Sequence, residues 1–171
     1  MTPKLAAILA GVAATATSNC IVLAAVSMPK EGNFDFNYCL AGRTQTMEVS
    51  DQAMAGSFEL TAAIMSNPPG GPFDGQGSHC MGTWSVLDGK YYDSGYCVTV
   101  DADGDRFLMD FKTGPVPPGQ PPSGIWTATG GSGKYQGMAA KGNYKQIAPI
   151  VPAVPGGFQV CNRNTGSYKL K

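Results

Sequence analysis

Few residues of this chain are equipped to do chemistry, and most of their combinations fail on spacing. His79 is the single histidine among 171 residues. A Ser-His-Asp triad would have to run through that one residue, next to Cys80, and neither a histidine-rich metal site nor a facial triad can form. The cysteines show no paired C-x₂-C spacing, so zinc is not expected. Asp101-Ala-Asp-Gly-Asp105 opens like a calcium loop, but Arg106 stands where that loop needs glycine and Lys112 where it needs a bidentate glutamate. A hairpin turn is the better reading. Gly133-Lys134 is followed by Tyr135 in strand context, which is not a phosphate loop. No metal or cofactor is expected. Glu48, Glu59 and the tyrosines remain for acid–base work. A carboxyl enclosed in an apolar lumen has its proton held more tightly, because burial disfavours the charge, and can then exchange a proton near neutral pH. Glu48 lies on the polar alternation Thr44, Thr46, Glu48, Ser50. Glu59 shares its face with Ser57 and Thr61, opposite Phe58 and Leu60, a solvent-side pattern. Tyr38, Trp84, Tyr96, Phe107 and Trp126 are candidates for lining a ligand cavity; aromatic residues at strand spacing equally form ordinary core.

These groups need a frame, and composition restricts it. Twelve basic and twelve acidic residues balance, which removes the electrostatic footprint of a nucleic-acid binder. Charged residues are only 14% and apolar residues 43%, against disorder. With 23 glycines and 13 prolines, turns are plentiful, and no helical period of useful length appears after about residue 30. The length suits one domain.

Residues 1–27 stand apart. Lys4 precedes an Ala-rich apolar stretch, and small residues surround Ala25-Val-Ser27, the pattern of a secretory signal peptide cleaved before Met28; Ala14-Thr-Ala16 is an earlier candidate. The alternative is a membrane anchor, interrupted here by Thr15, Thr17, Ser18 and Asn19. Cleavage leaves residues 28–171, a net charge of −1 after the loss of Lys4, and no membrane segment. It also removes Cys20 and leaves Cys39, Cys80, Cys97 and Cys161, an even number that reads as two disulfides in a secreted or periplasmic protein.

The rest reads as consecutive strands. Phe34, Phe36, Tyr38 and Leu40 alternate with polar partners over Asn33–Leu40, and Arg43–Ser50, Gly56–Met65, Arg106–Lys112, Ile125–Thr129, Gly137–Lys145 and Phe158–Leu170 follow. Proline-rich loops are expected at Ser66–Ser78, Gly114–Gly124 and Ile147–Gly157. Asp88-Gly89 suits a type I′ turn between two strands. If those two residues are the loop, opposed positions sum to 177, and Cys80 meets Cys97 at a non-hydrogen-bonded pair, where Cα atoms approach to roughly 4.5 Å. Cys39 then pairs with Cys161 by elimination, and each lies on a polar strand face. A bridge between first and last strands points to a closed barrel without edges. The fold class predicted is all-β, a single closed antiparallel barrel of about eight strands over 28–171.

Two blocks carry a family resemblance. Thr129-Gly-Gly-Ser-Gly-Lys-Tyr-Gln-Gly137, continuing through MAAKGNYKQIAP, resembles the glycine-rich hairpin of the allene oxide cyclase barrel, a fold shared with dirigent proteins. Gly95-Tyr-Cys-Val98 followed by Gly104-Asp-Arg-Phe107 resembles the paired strands of that family in matching order. The resemblance covers about residues 95–149 and is to a distant, bacterial-type exported member. It implies an eight-stranded barrel with an apolar interior, often trimeric, so a homo-oligomer is expected. It also implies control of a reactive small molecule, by cyclising an allene oxide or steering phenoxy radicals. Cys97 falls where plant cyclases carry a pocket cysteine, but the hairpin register places it in a disulfide.

The function expected is an exported barrel that binds a small apolar molecule, lipid- or terpenoid-like, and isomerises or cyclises it without metal or cofactor. The alternative is a secreted structural or protein-interaction barrel with a solid core. Cavity volume separates the two.

Overall fold

A computed structural model describes residues 28–171; the expected signal peptide, with Cys20, lies outside the described residues. Eight strands run in chain order: β1 Glu31–Ser50, β2 Ala53–Ser66, β3 Gly77–Leu87, β4 Lys90–Val100, β5 Arg106–Val116, β6 Ser123–Gly131, β7 Ala139–Pro149 and β8 Gly157–Lys169. Every neighbour pairs antiparallel, and β1 closes against β8 along Glu31–Arg43 and Gly157–Lys169. The barrel is closed, as the sequence predicts. The first two expected strands are one: Ala41 and Gly42 stay extended between Leu40 and Arg43, because they remain paired with β2 on one side and β8 on the other.

Asp88 and Gly89 both take positive φ, 50° and 71°, the requirement of a type I′ turn. Register then follows: Leu87 opposes Lys90 and Cys80 opposes Cys97. Cys80–Cys97 and Cys39–Cys161 are both bridged, each with Cα atoms 4.0 Å apart. The first bridge is buried in the lumen; the second straddles the β1–β8 seam on the outer side, where its partners alternate with the inward Tyr38 and Val160.

The glycine content has a packing cause. Around the lumen, large aromatic rings lie over glycines of the adjacent strand: Trp84 over Gly56, Trp126 over Gly142, Tyr144 over Gly124 and Phe111 over Gly95. A Cβ at Gly142 would sit 2.6 Å from the Trp126 indole nitrogen. Rings that must lie flat inside a narrow barrel therefore demand glycine beside them.

The lumen is filled at one end. The loop between β2 and β3 folds back and drops Phe73 into the barrel, where it meets Phe34, Phe36, Phe107, Tyr135 and Tyr168 at centroid separations of 5.3–6.4 Å. Asp74 ties that loop down by accepting the Ser66 and Gly70 amides, each at 2.7 Å. Those donors hold its carboxyl below the usual range. Across the same end, Asp101 closes the β4–β5 turn by accepting the Asp103 and Asp105 amides, and the Lys134 ammonium stands 2.8 Å from both Asp101 and Asp103. A tethered lysine thus offsets part of the charge of the acidic turn.

Candidate functional site

The other end is hollow. A cavity of about 310 Å³ occupies the lumen between the bridged Cys80–Cys97 level and the loops after β5 and β7. Tyr38, Trp84 and Trp126 line it. Tyr96 and Phe107 do not. Tyr96 is 59% exposed on the outer face, because the inward Cys97 beside it fixes the alternation. Phe107 points inward but is consumed by the packed end, against Phe73 and Tyr135.

Neither glutamate lies in the cavity. Glu59 faces outward and pairs with His79 at 2.9 Å, both side chains more than half exposed. Glu48 has the inward parity of Thr44, but β1 outruns β8 beyond Arg43, so Glu48 stands exposed above the mouth, opposite Met54. Parity was readable; the length of β1 beyond its partner was not.

The carboxyl inside is Asp93. It opposes Trp84 on β3 and Thr113 on β5, and Tyr91, two residues earlier, points to the same side. The Tyr91 hydroxyl donates to Asp93 Oδ2 at 2.8 Å and that of Tyr144 to Oδ1 at 3.3 Å; Tyr144 also hydrogen-bonds Thr113. Gly124 makes this reach possible, since a Cβ there would lie 2.6 Å from the Tyr144 phenol. Burial pushes the Asp93 carboxyl above its ordinary range, and the three hydroxyls pull the other way. Burial raises both tyrosines as well, reinforced by the Asp93 charge. Opposite Tyr144 on β8, buried Asn164 adds an amide to the wall, reaching only the Asn162 carbonyl at 3.4 Å.

The arrangement is one carboxyl, two phenols and an amide in a wall of rings: it can hold a ligand of mixed polarity and exchange one proton with it. A signal for Asp93 existed in the sequence. The hairpin arithmetic that pairs Cys80 with Cys97 also puts Asp93 opposite Trp84, on the same side of its strand as Cys97.

No family model matches the sequence, and no curated protein matches it. Among solved structures, the chain resembles the pterocarpan synthase dirigent protein PsPTS1, with a TM-score of 0.52 at 7% identity over 84% of this chain and 97% of that one. It also aligns with the pterocarpan synthase dirigent protein GePTS1, with a TM-score of 0.49 at 8% identity over 85% and 94%. At such identity the likeness is one of architecture, and the fold is a dirigent-like eight-stranded barrel.

Proposed function

We propose that this barrel binds a small, largely apolar molecule in the cavity around Asp93 and isomerises or cyclises it by proton exchange. The observation that carries this reading is the 310 Å³ volume, open at the mouth, with a single carboxyl in its aromatic wall. That volume falls within the range of ligand pockets, roughly 300 Å³ upward, and favours a binding barrel over one filled by side chains. A carboxyl that gives a proton to one ligand atom and takes one from another ends where it began, which suits a redox-neutral rearrangement without cofactor. The two disulfides fit an oxidising, non-cytoplasmic compartment, in line with export through residues 1–27. Among the described residues no helix is long and apolar enough to cross a membrane. The glycine-rich blocks fall on the β4–β5 and β6–β7 hairpins.

Titration with the neutral dye N-phenyl-1-naphthylamine tests the binding part. Saturable fluorescence enhancement is expected for the native chain, and its loss in Thr44→Trp, which fills the mouth. A folded native chain that leaves the dye dark overturns the reading.

A further inference from the structure

Charge inside the cavity is one-sided. Asp93 supplies a carboxyl whose two oxygens both accept hydrogen bonds from hydroxyls, the pattern that suits the ionised form. Among the described residues lining the cavity there is no lysine, arginine or histidine. The cations carried by the surrounding strands face away: Lys112 and Lys145 are exposed, and Arg163 is engaged outside the barrel with Asp35, its Nε 3.0 Å from Oδ1. Among the described residues this half-buried carboxylate therefore has no counter-ion, and a charge withdrawn from water without one is costly. What surrounds it is aromatic: Trp84 directly across the β3–β4 pair, Tyr91 and Tyr144 in contact, and the stacked Phe58–Phe111 pair, whose centroids are 6.1 Å apart. Ring faces attract cations through their quadrupoles, and more strongly when water is excluded.

We propose that the ligand of this cavity is a small organic cation, an aryl- or alkylamine whose protonated nitrogen pairs with Asp93 while its apolar body lies against the rings. This rests on the reading of the cavity as a ligand site, and it narrows the ligand class. A ligand carboxylate would meet Asp93 with no cation to offset it. A neutral molecule would leave the carboxylate uncompensated.

Calorimetric titration at neutral pH with two matched probes decides it: 1-naphthylmethylamine, cationic, and 1-naphthylmethanol, its neutral counterpart of nearly the same shape. The amine is expected to bind the native chain at least tenfold more tightly than the alcohol. In Asp93→Asn that preference should fall to within about twofold, through loss of amine affinity. If the alcohol binds as well as the amine to the native chain, the cation assignment is overturned and the ligand site stands. An amine preference that survives in Asp93→Asn also overturns it, because the carboxyl is then not its source. Binding of neither probe to the folded chain removes the ligand site and this inference together.

Discussion

One barrel wall encloses two unlike interiors. At the end where β1 begins and β8 finishes, the ten residues between β2 and β3 re-enter the lumen, and Phe73 adopts a positive φ of 66° to place its ring among five others. That backbone conformation is unfavourable for a bulky side chain, and the burial of the ring, left 2% exposed, offsets it. At the opposite end the connections are either tight, as at Asp88-Gly89, or proline-rich, as in 117–122 and 150–156. Proline-rich segments are extended and stiff, and here only Pro122 reaches the cavity, leaving Val151 and Val154 in solvent. The strands present rings inward at both ends. Loop chemistry, more than wall chemistry, decides which half is core and which is site.

The packed half should break hardest. Phe73→Ala removes a fully buried ring with five aromatic partners, and is expected to cost about 3–5 kcal/mol, seen as a lower urea midpoint, while dye binding at the far end persists in the folded fraction. Gly142→Ala comes next. Its new methyl meets the Trp126 and Phe34 rings, with an overpacking cost of about 1–3 kcal/mol; an unchanged midpoint would refute the ring-over-glycine account. Phe58→Ala is milder, about 1–2 kcal/mol, because that ring is half-buried and already borders empty space. It should enlarge the cavity and weaken dye binding, the reverse of the Phe73→Ala pattern.

Legibility in the sequence divides along similar lines. Strands, the Asp88-Gly89 turn and the Cys80–Cys97 bridge follow from local alternation and from one register sum, since period two and a fixed loop determine every opposed pair of that hairpin; Cys39–Cys161 then follows by elimination. The β2–β3 loop is legible as a loop, but nothing local says that Phe73 turns inward; that depends on the space left by strands far away in sequence. The same non-local geometry hides the site. Glu48 has the correct parity at the wrong height, and Tyr96 the correct residue type on the wrong face. The inward side of Asp93 is legible from the hairpin register, but its partner Tyr144, brought in from β7 and reaching it over Gly124, is not.

Asp93→Asn gives the smallest expected change and the opposite sign. Burial raises the carboxyl in the folded state, so between the unfolded and folded values the native protein binds more protons than the unfolded chain. Stability from this group is full below the unfolded value, about pH 3.9, and is lost as pH rises through the folded one. Asp35, Asp74 and Asp101 are shifted downward, so their stabilisation is lost as pH falls; the raw pH profile of the native chain mixes both trends. Comparing native chain and Asp93→Asn cancels the shared part. The two should melt together near about pH 4 and diverge toward about pH 8, with the asparagine variant more stable by a few degrees, because its amide fills the same space without a charge to bury. A variant that melts below the native chain near pH 8 would mean that the hydroxyls of Tyr91, Thr113 and Tyr144 outweigh desolvation. The anion at the hollow end would then be stabilised by its own chain, without need of a ligand cation.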